Sequence, residues 1–135
     1  MPLELTNDLL TGSKPIDDQH RELVARINKL YDACAQQKGK EEIREVLRYL
    51  EDYCVIHFRT EEDWMARYDY PGYMNHKTEH KEFTEVFKNL KDDFEKSEPG
   101  SSFVIRVNRT LIEHFTDHVL RTDKKLAQFL QDKNL

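Results

Sequence analysis

The chain is poor in residues that break or staple a backbone. Glycine and proline occur four times each in 135 residues, and cysteine twice. So few turn formers leave no room for the many short strands of a β-sandwich or barrel. Two cysteines cannot make a disulfide scaffold. Cys34 and Cys54 both fall among apolar positions, which suits reduced core thiols. No apolar run reaches the length of a membrane span or a secretory leader, and the opening MPLELTNDLLTGSK is too polar for either. A cytoplasmic protein with no membrane partner is therefore expected. Positive charge is not in excess: 21 Lys and Arg against 26 Asp and Glu leave a net charge of −5, and no basic cluster offers itself to nucleic acid.

What is present suits one core under a charged surface, with 38% of residues hydrophobic and 35% charged. That predicts a single domain over 1–135. The few breakers fall at Lys38-Gly39-Lys40, Tyr70-Pro71-Gly72 and the stretch Ser97 to Ser102. Between them lie four segments of helical length, about 17–37, 41–68, 73–95 and 102–131. Short loops make sequential helices antiparallel, so the expected fold is all-α, an up-down-up-down four-helix bundle over 16–131 behind an irregular N-terminal arm, 1–15.

Steps of three and four trace an inward stripe on each segment. The first carries Ile16, His20, Leu23, Ile27, Leu30 and Cys34, and the second Ile43, Leu47, Leu50, Cys54, His57, Glu61, Met65 and Tyr68. The third carries His76, His80, Phe83, Phe87, Leu90 and Phe94, and the fourth Val104, Val107, Leu111, His114 and His118. All six histidines and Glu61 thus fall on stripes that are otherwise apolar. In an antiparallel bundle the start of one helix is level with the end of the next, so these groups gather in one layer at one end. Burying them without partners would cost several kcal/mol for the carboxylate and roughly 1–3 kcal/mol for each imidazole. A bound cation satisfies them together, and imidazole with carboxylate suits iron, zinc or manganese. So many donors exceed what one ion can take, which favours a dinuclear site bridged by carboxylates.

The residues around these positions read IDDQHREL at 16–23, HFRTEEDWM at 57–65, YPGYMNHKTEH at 70–80 and HVLRTDKKL at 118–126. In this order and spacing they resemble the hemerythrin family, in particular its single-domain bacterial form, from about Gly12 to Leu130. The resemblance implies a non-haem pair of iron ions with an oxo or hydroxo bridge. It implies that His76, His80 and His118 hold one iron and His20 and His57 the other, with Glu61 and Asp123 bridging both. Asp123 comes from the resemblance alone, because five residues beyond His118 lies about 140° round an ideal helix. Asp117 reads as a surface residue. The implied function is reversible O2 binding at the iron left five-coordinate, for storage, delivery or sensing, with Leu23, Phe58, Phe115 and Val119 as apolar pocket walls and Thr122 making the pocket wetter.

His114 departs from the family, where a tryptophan is typical one turn before the position of His118. Three readings stand: a hydrogen-bonded core histidine, a donor to bound ligand, or a group that occupies the open iron position. The second leads to a different function, a di-iron enzyme turning over peroxide, O2 or NO. The early tryptophan of bacterial members is also absent, leaving the docking of the arm open, and Trp64 reads as a packing residue. HKTEH at 76–80 also fits the inverted zinc-protease motif with Glu79 as base, although Glu79 lies off the inward stripe and reads as solvated. The sequence names no protein partner.

Overall fold

The computed structural model describes residues 3–96, 106 and 108–133. Among them there is no strand, and the architecture is the expected all-α four-helix bundle. Helix α1 spans Lys14–Ala35, α2 Lys40–Arg67 and α3 Tyr73–Lys96. The fourth rod, α4, covers residues 108–132 in four stretches: a π turn over Asn108–Ile112, α-helix over Glu113–His118, a second π turn over Val119–Asp123, and α-helix over Lys124–Asp132. The expected start of this helix near 102, the break at 97–102 and the core positions Val104 and Val107 lie outside the described residues. No helix among the described residues is long and apolar enough to cross a membrane.

The sequence explains the ends. Helix α1 begins three residues earlier than expected because Pro15 sits in its first turn, where a missing N–H costs nothing. Helices α1 and α2 both close with left-handed residues, Gln37 (φ 56°) and Asp69 (φ 53°). The following amides, of Lys38 and Tyr70, reach back to the carbonyls of Ala33 and Met65 at 3.0 and 2.9 Å, which satisfies the frayed carbonyls and turns the chain sharply. Gly72 is needed for space: a Cβ there would lie 2.8 Å from the Tyr70 ring.

The interior falls into two apolar clusters. The larger holds Leu23, Ile27 and Leu30 of α1, Ile43, Leu47 and Leu50 of α2, Phe87, Leu90 and Phe94 of α3, and Leu111, Phe115 and Val119 of α4. The smaller, at the other end, holds Ile16, Met65, Leu126, Ala127 and Leu130, with Trp64 packed against it. Cys34 and Cys54 are free and buried in the larger cluster. Burial pushes their thiols up to about 11 and about 12, so both stay protonated.

The arm is docked. Leu3 and Leu9 are buried in the larger cluster, and the Leu3 amide and carbonyl both bond the Asn28 side chain. Buried Asp17 accepts from the Thr11 amide and hydroxyl, each at 2.8 Å, and from the Gly12 amide at 3.2 Å. Gly12 takes φ +90° to present that amide. Replacing Asp17 with alanine strands these donors. Urea unfolding of the Asp17→Ala protein should show a loss of about 1–3 kcal/mol.

Candidate metal centre

Between the two apolar clusters lies a polar layer. His20, His57, Glu61, His76, His80 and Asp123 are each at most 3% exposed. His118 is slightly more open, its side chain 15% exposed. The five imidazoles turn their Nε2 atoms toward the two carboxylates. Glu61 Oε1 lies 3.4, 3.3 and 3.0 Å from Nε2 of His57, His76 and His80. Asp123 Oδ1 lies 3.0 and 2.9 Å from Nε2 of His76 and His118, and its Oδ2 lies 2.8 Å from that of His20.

These atoms form two groups in which all donors lie within 4.8 Å of one another. One is Glu61, His76, His80, His118 and Asp123, and the other is His20, His57, Glu61 and Asp123. Both carboxylates belong to both groups.

Asp123 reaches the layer because α4 winds as a π turn over Val119–Asp123. In that winding residue i+5 stacks over residue i, so Asp123 comes to the face of His118. A regular helix would carry it away, which is why the apolar spacing could not find it.

The fit of this donor set to a metal rests on what is unsatisfied. Glu61 Oε2, Asp123 Oδ1 and His118 Nε2 are buried and make no hydrogen bond. Two carboxylates and five imidazoles converging on one dry layer leave these atoms unmatched, and a bound cation would meet them together. Nitrogen and carboxylate oxygen are ligands that non-haem iron takes readily. The residues therefore fit.

Three rings are held from behind. His57 Nδ1 donates to Gln19 Oε1 at 2.7 Å, His80 Nδ1 to Glu62 Oε2 at 2.9 Å, and His118 Nδ1 to Glu79 Oε1 at 3.0 Å. Each such bond fixes the tautomer that leaves Nε2 free to ligate. Glu79 also accepts the Thr122 hydroxyl on both oxygens at 2.7 Å. It is half-buried, not solvated, and its lone pairs are engaged, which leaves no free base for a zinc-protease reading. Sequence reasoning missed Gln19, Glu62 and Glu79 as ring holders, although each immediately precedes or follows a residue of the layer.

Above the layer lies a cavity of about 130 Å³. Leu23, Ile27, Phe58, Phe83 and Phe115 make its apolar wall, and His114, Asp117 and Arg121 stand at its edge. Two expected wall residues are elsewhere. Val119 is fully buried in the larger cluster, and Thr122 spends its hydroxyl on Glu79. His114 is exposed, not on the inward stripe, and it belongs to neither donor group. The π turn over Asn108–Ile112 shifts the phase of α4, so Phe115 faces inward and His114 moves to the rim, 6.2 Å from the Phe83 ring. This overturns the reading of His114 as a core histidine. Asp117 is a surface residue paired with Arg121.

The model of the hemerythrin HHE cation binding domain matches residues 11–130. The chain belongs to the hemerythrin family. It is 31% identical over 124 residues to the bacteriohemerythrin of Aquifex aeolicus, covering 90% of this chain and 92% of that one. It is 32% identical over 135 residues to the bacteriohemerythrin of Pseudomonas aeruginosa strain LESB58, covering 95% and 86%. The crystal structure of a wild-type hemerythrin superposes with a TM-score of 0.80 at 28% identity, over 95% of each chain.

The electrostatics of this hemerythrin site without metal are those of a proton trap. Burial works against charging His76 and His118, but Asp123 and Glu61 beside them prevail, raising His76 to about 9 and His118 to about 10. Burial and the neighbouring Asp123 push Glu61 up, yet the imidazoles hold both carboxylates below the usual range. Burial keeps His57 neutral, lowering it to about 4. At pH 7 His76 and His118 thus carry protons that a metal must displace. Metal uptake by metal-free protein at pH 7 should release about two protons per chain, read with an indicator dye in weak buffer, and apparent affinity should fall as pH is lowered. Glu79→Gln keeps an acceptor for His118 but removes its charge. Chelator competition should show metal affinity about tenfold or more below wild type.

Proposed function

We propose that this chain is a di-iron oxygen-binding protein that takes up O2 reversibly. One observation carries the reading: two donor groups, of three and two imidazoles, share Glu61 and Asp123 beside an apolar cavity. His76, His80 and His118 would hold one iron, His20 and His57 the other, and the two carboxylates would bridge. If both irons shared the two carboxylates equally, the position held by His20 and His57 would have one protein ligand fewer than the other. Bound non-haem iron supplies the electrons that O2 takes up on binding and returns on release.

The protein's own part is containment. Leu23, Ile27, Phe58 and Phe115 border the layer with hydrocarbon and keep water from the reacting atoms. Phe115 packs edge-on against His20 at 5.4 Å, and Phe58 stacks on His80 at 4.1 Å, so the same rings wall the cavity and hold ligands in place. His114 stands at the mouth with no hydrogen bond among the described residues, in position to meet a ligand entering or leaving.

Hemerythrins are oxygen-binding proteins rather than enzymes, and this site is read the same way. The one thiol in the cavity lining among the described residues, Cys54, is kept protonated by burial.

Anaerobic loading with ferrous iron should give two irons per chain, and admitting air should raise a visible charge-transfer band that argon removes. Asp123→Ala should abolish the band and reduce the iron count. His114→Leu should leave the iron count unchanged while altering the lifetime of the band. Peroxide-dependent turnover that disappears in His114→Trp would replace carriage with catalysis.

A further inference from the structure

We propose that the groove between α2 and α3 is the electron-entry face of this protein, docking an acidic one-electron donor protein over Phe58. The proposal rests on the di-iron reading, because an iron pair that meets O2 must be returned to the ferrous state whenever it oxidises.

The groove lies outside the bundle, and its floor is made of Phe58 and His80. Both residues also line the inner cavity. The partition between solvent and the polar layer is therefore two rings thick. They stack with centroids 4.1 Å apart and planes 15° from parallel. The half-buried Phe58 ring also lies 5.9 Å from that of His57 and 6.5 Å from that of His118. One aromatic side chain thus leads from the surface to three of the five imidazoles.

The rim supplies the recognition. Arg59, Lys77 and Lys81 edge the groove. Arg59 and Lys81 are exposed and form no ion pair among the described residues. The single acid in the lining, Glu62, turns its carboxylate inward to His80 Nδ1. Three cations against one engaged carboxylate make a positive face on a chain whose net charge is −5. Val55 of the lining is 46% exposed, an apolar patch next to the charged rim. Redox partners meet through small, transient contacts steered by opposite charge, and this face has that form. A donor with an acidic surface complements it. Each encounter oxidises the donor by one electron and reduces one iron from ferric to ferrous. Two encounters restore the pair, and no atom is transferred.

The test uses iron-loaded, oxidised protein and two small reductants of opposite charge, dithionite and hexaammineruthenium(II), followed by stopped flow. Steering by the groove makes dithionite reduction slow down as salt is added. Combining Arg59→Glu with Lys81→Glu should slow dithionite about tenfold at low salt and speed hexaammineruthenium(II). Combining Lys29→Glu with Lys125→Glu changes net charge equally and should leave both rates within about twofold of wild type. Hexacyanochromate(III), a paramagnetic trianion, should broaden the amide signals of 55–62 and 77–84 in the wild type and lose this effect in the Arg59/Lys81 variant. Dithionite reduction that accelerates with salt, equal effects of the two double variants, or broadening centred elsewhere would overturn the proposal. A chain that takes up no iron overturns the di-iron reading and this one with it. An iron-loaded chain indifferent to Arg59 and Lys81 overturns the groove alone.

Discussion

Five imidazoles and two carboxylates in a water-poor layer set the terms for the rest of this protein. Each of those groups costs free energy to bury, and together they do not satisfy every atom: Glu61 Oε2 and Asp123 Oδ1 have no hydrogen-bond partner. The fold is arranged to bring that cost to one place. Four rods contribute to one level, His20 from the start of α1, His57 and Glu61 from late α2, His76 and His80 from the start of α3, and His118 and Asp123 from α4. Local winding yields to the same demand, since α4 departs from α-geometry at the stretch that delivers Asp123. Bulges of this kind are found where function asks a helix for an irregular register.

The two halves of the layer are not supported alike. In the three-histidine group, carboxylates stand behind two rings, Glu62 behind His80 and Glu79 behind His118. In the two-histidine group, His57 leans on the neutral amide of Gln19 and the outer nitrogen of His20 has no partner. A carboxylate behind an imidazole makes it a stronger donor than an amide does. On the di-iron reading, the asymmetry would leave the two-histidine position, which abuts the apolar wall at Phe115, the more weakly held of the two.

Much of this could be read from the sequence. Helices α1 to α3 were legible because apolar residues recur at three and four over more than five turns with few breakers, and five of the six histidines fell where the stripe put them. The failures share a cause. His114 was assigned inward and Asp123 was invisible because both lie on α4, where two π turns break the period that stripe reading assumes. Asp123 was recovered only through resemblance to a family, which carries register information that periodicity lacks. Glu62 and Glu79 were unreadable for another reason: they act through a neighbour's ring, and an acidic residue on the flank of a helix looks the same in sequence whether or not it accepts a bond. Thr122 shows the same limit, a polar residue judged by its own chemistry when its hydroxyl is committed to Glu79.

The polar layer also divides the interior into two bodies of unequal size. The larger gathers residues from the arm and all four rods, whereas the smaller rests on Ile16, Met65, Leu126, Ala127 and Leu130 under a rim of Trp64 and tyrosines. Such a cap has few contacts to lose and opens at lower cost than the main body. Its loosening would uncover the histidines from below while the main body stays folded. A metal ion held by the layer would act as a rivet between these two plates, and its loss would be separable from global unfolding.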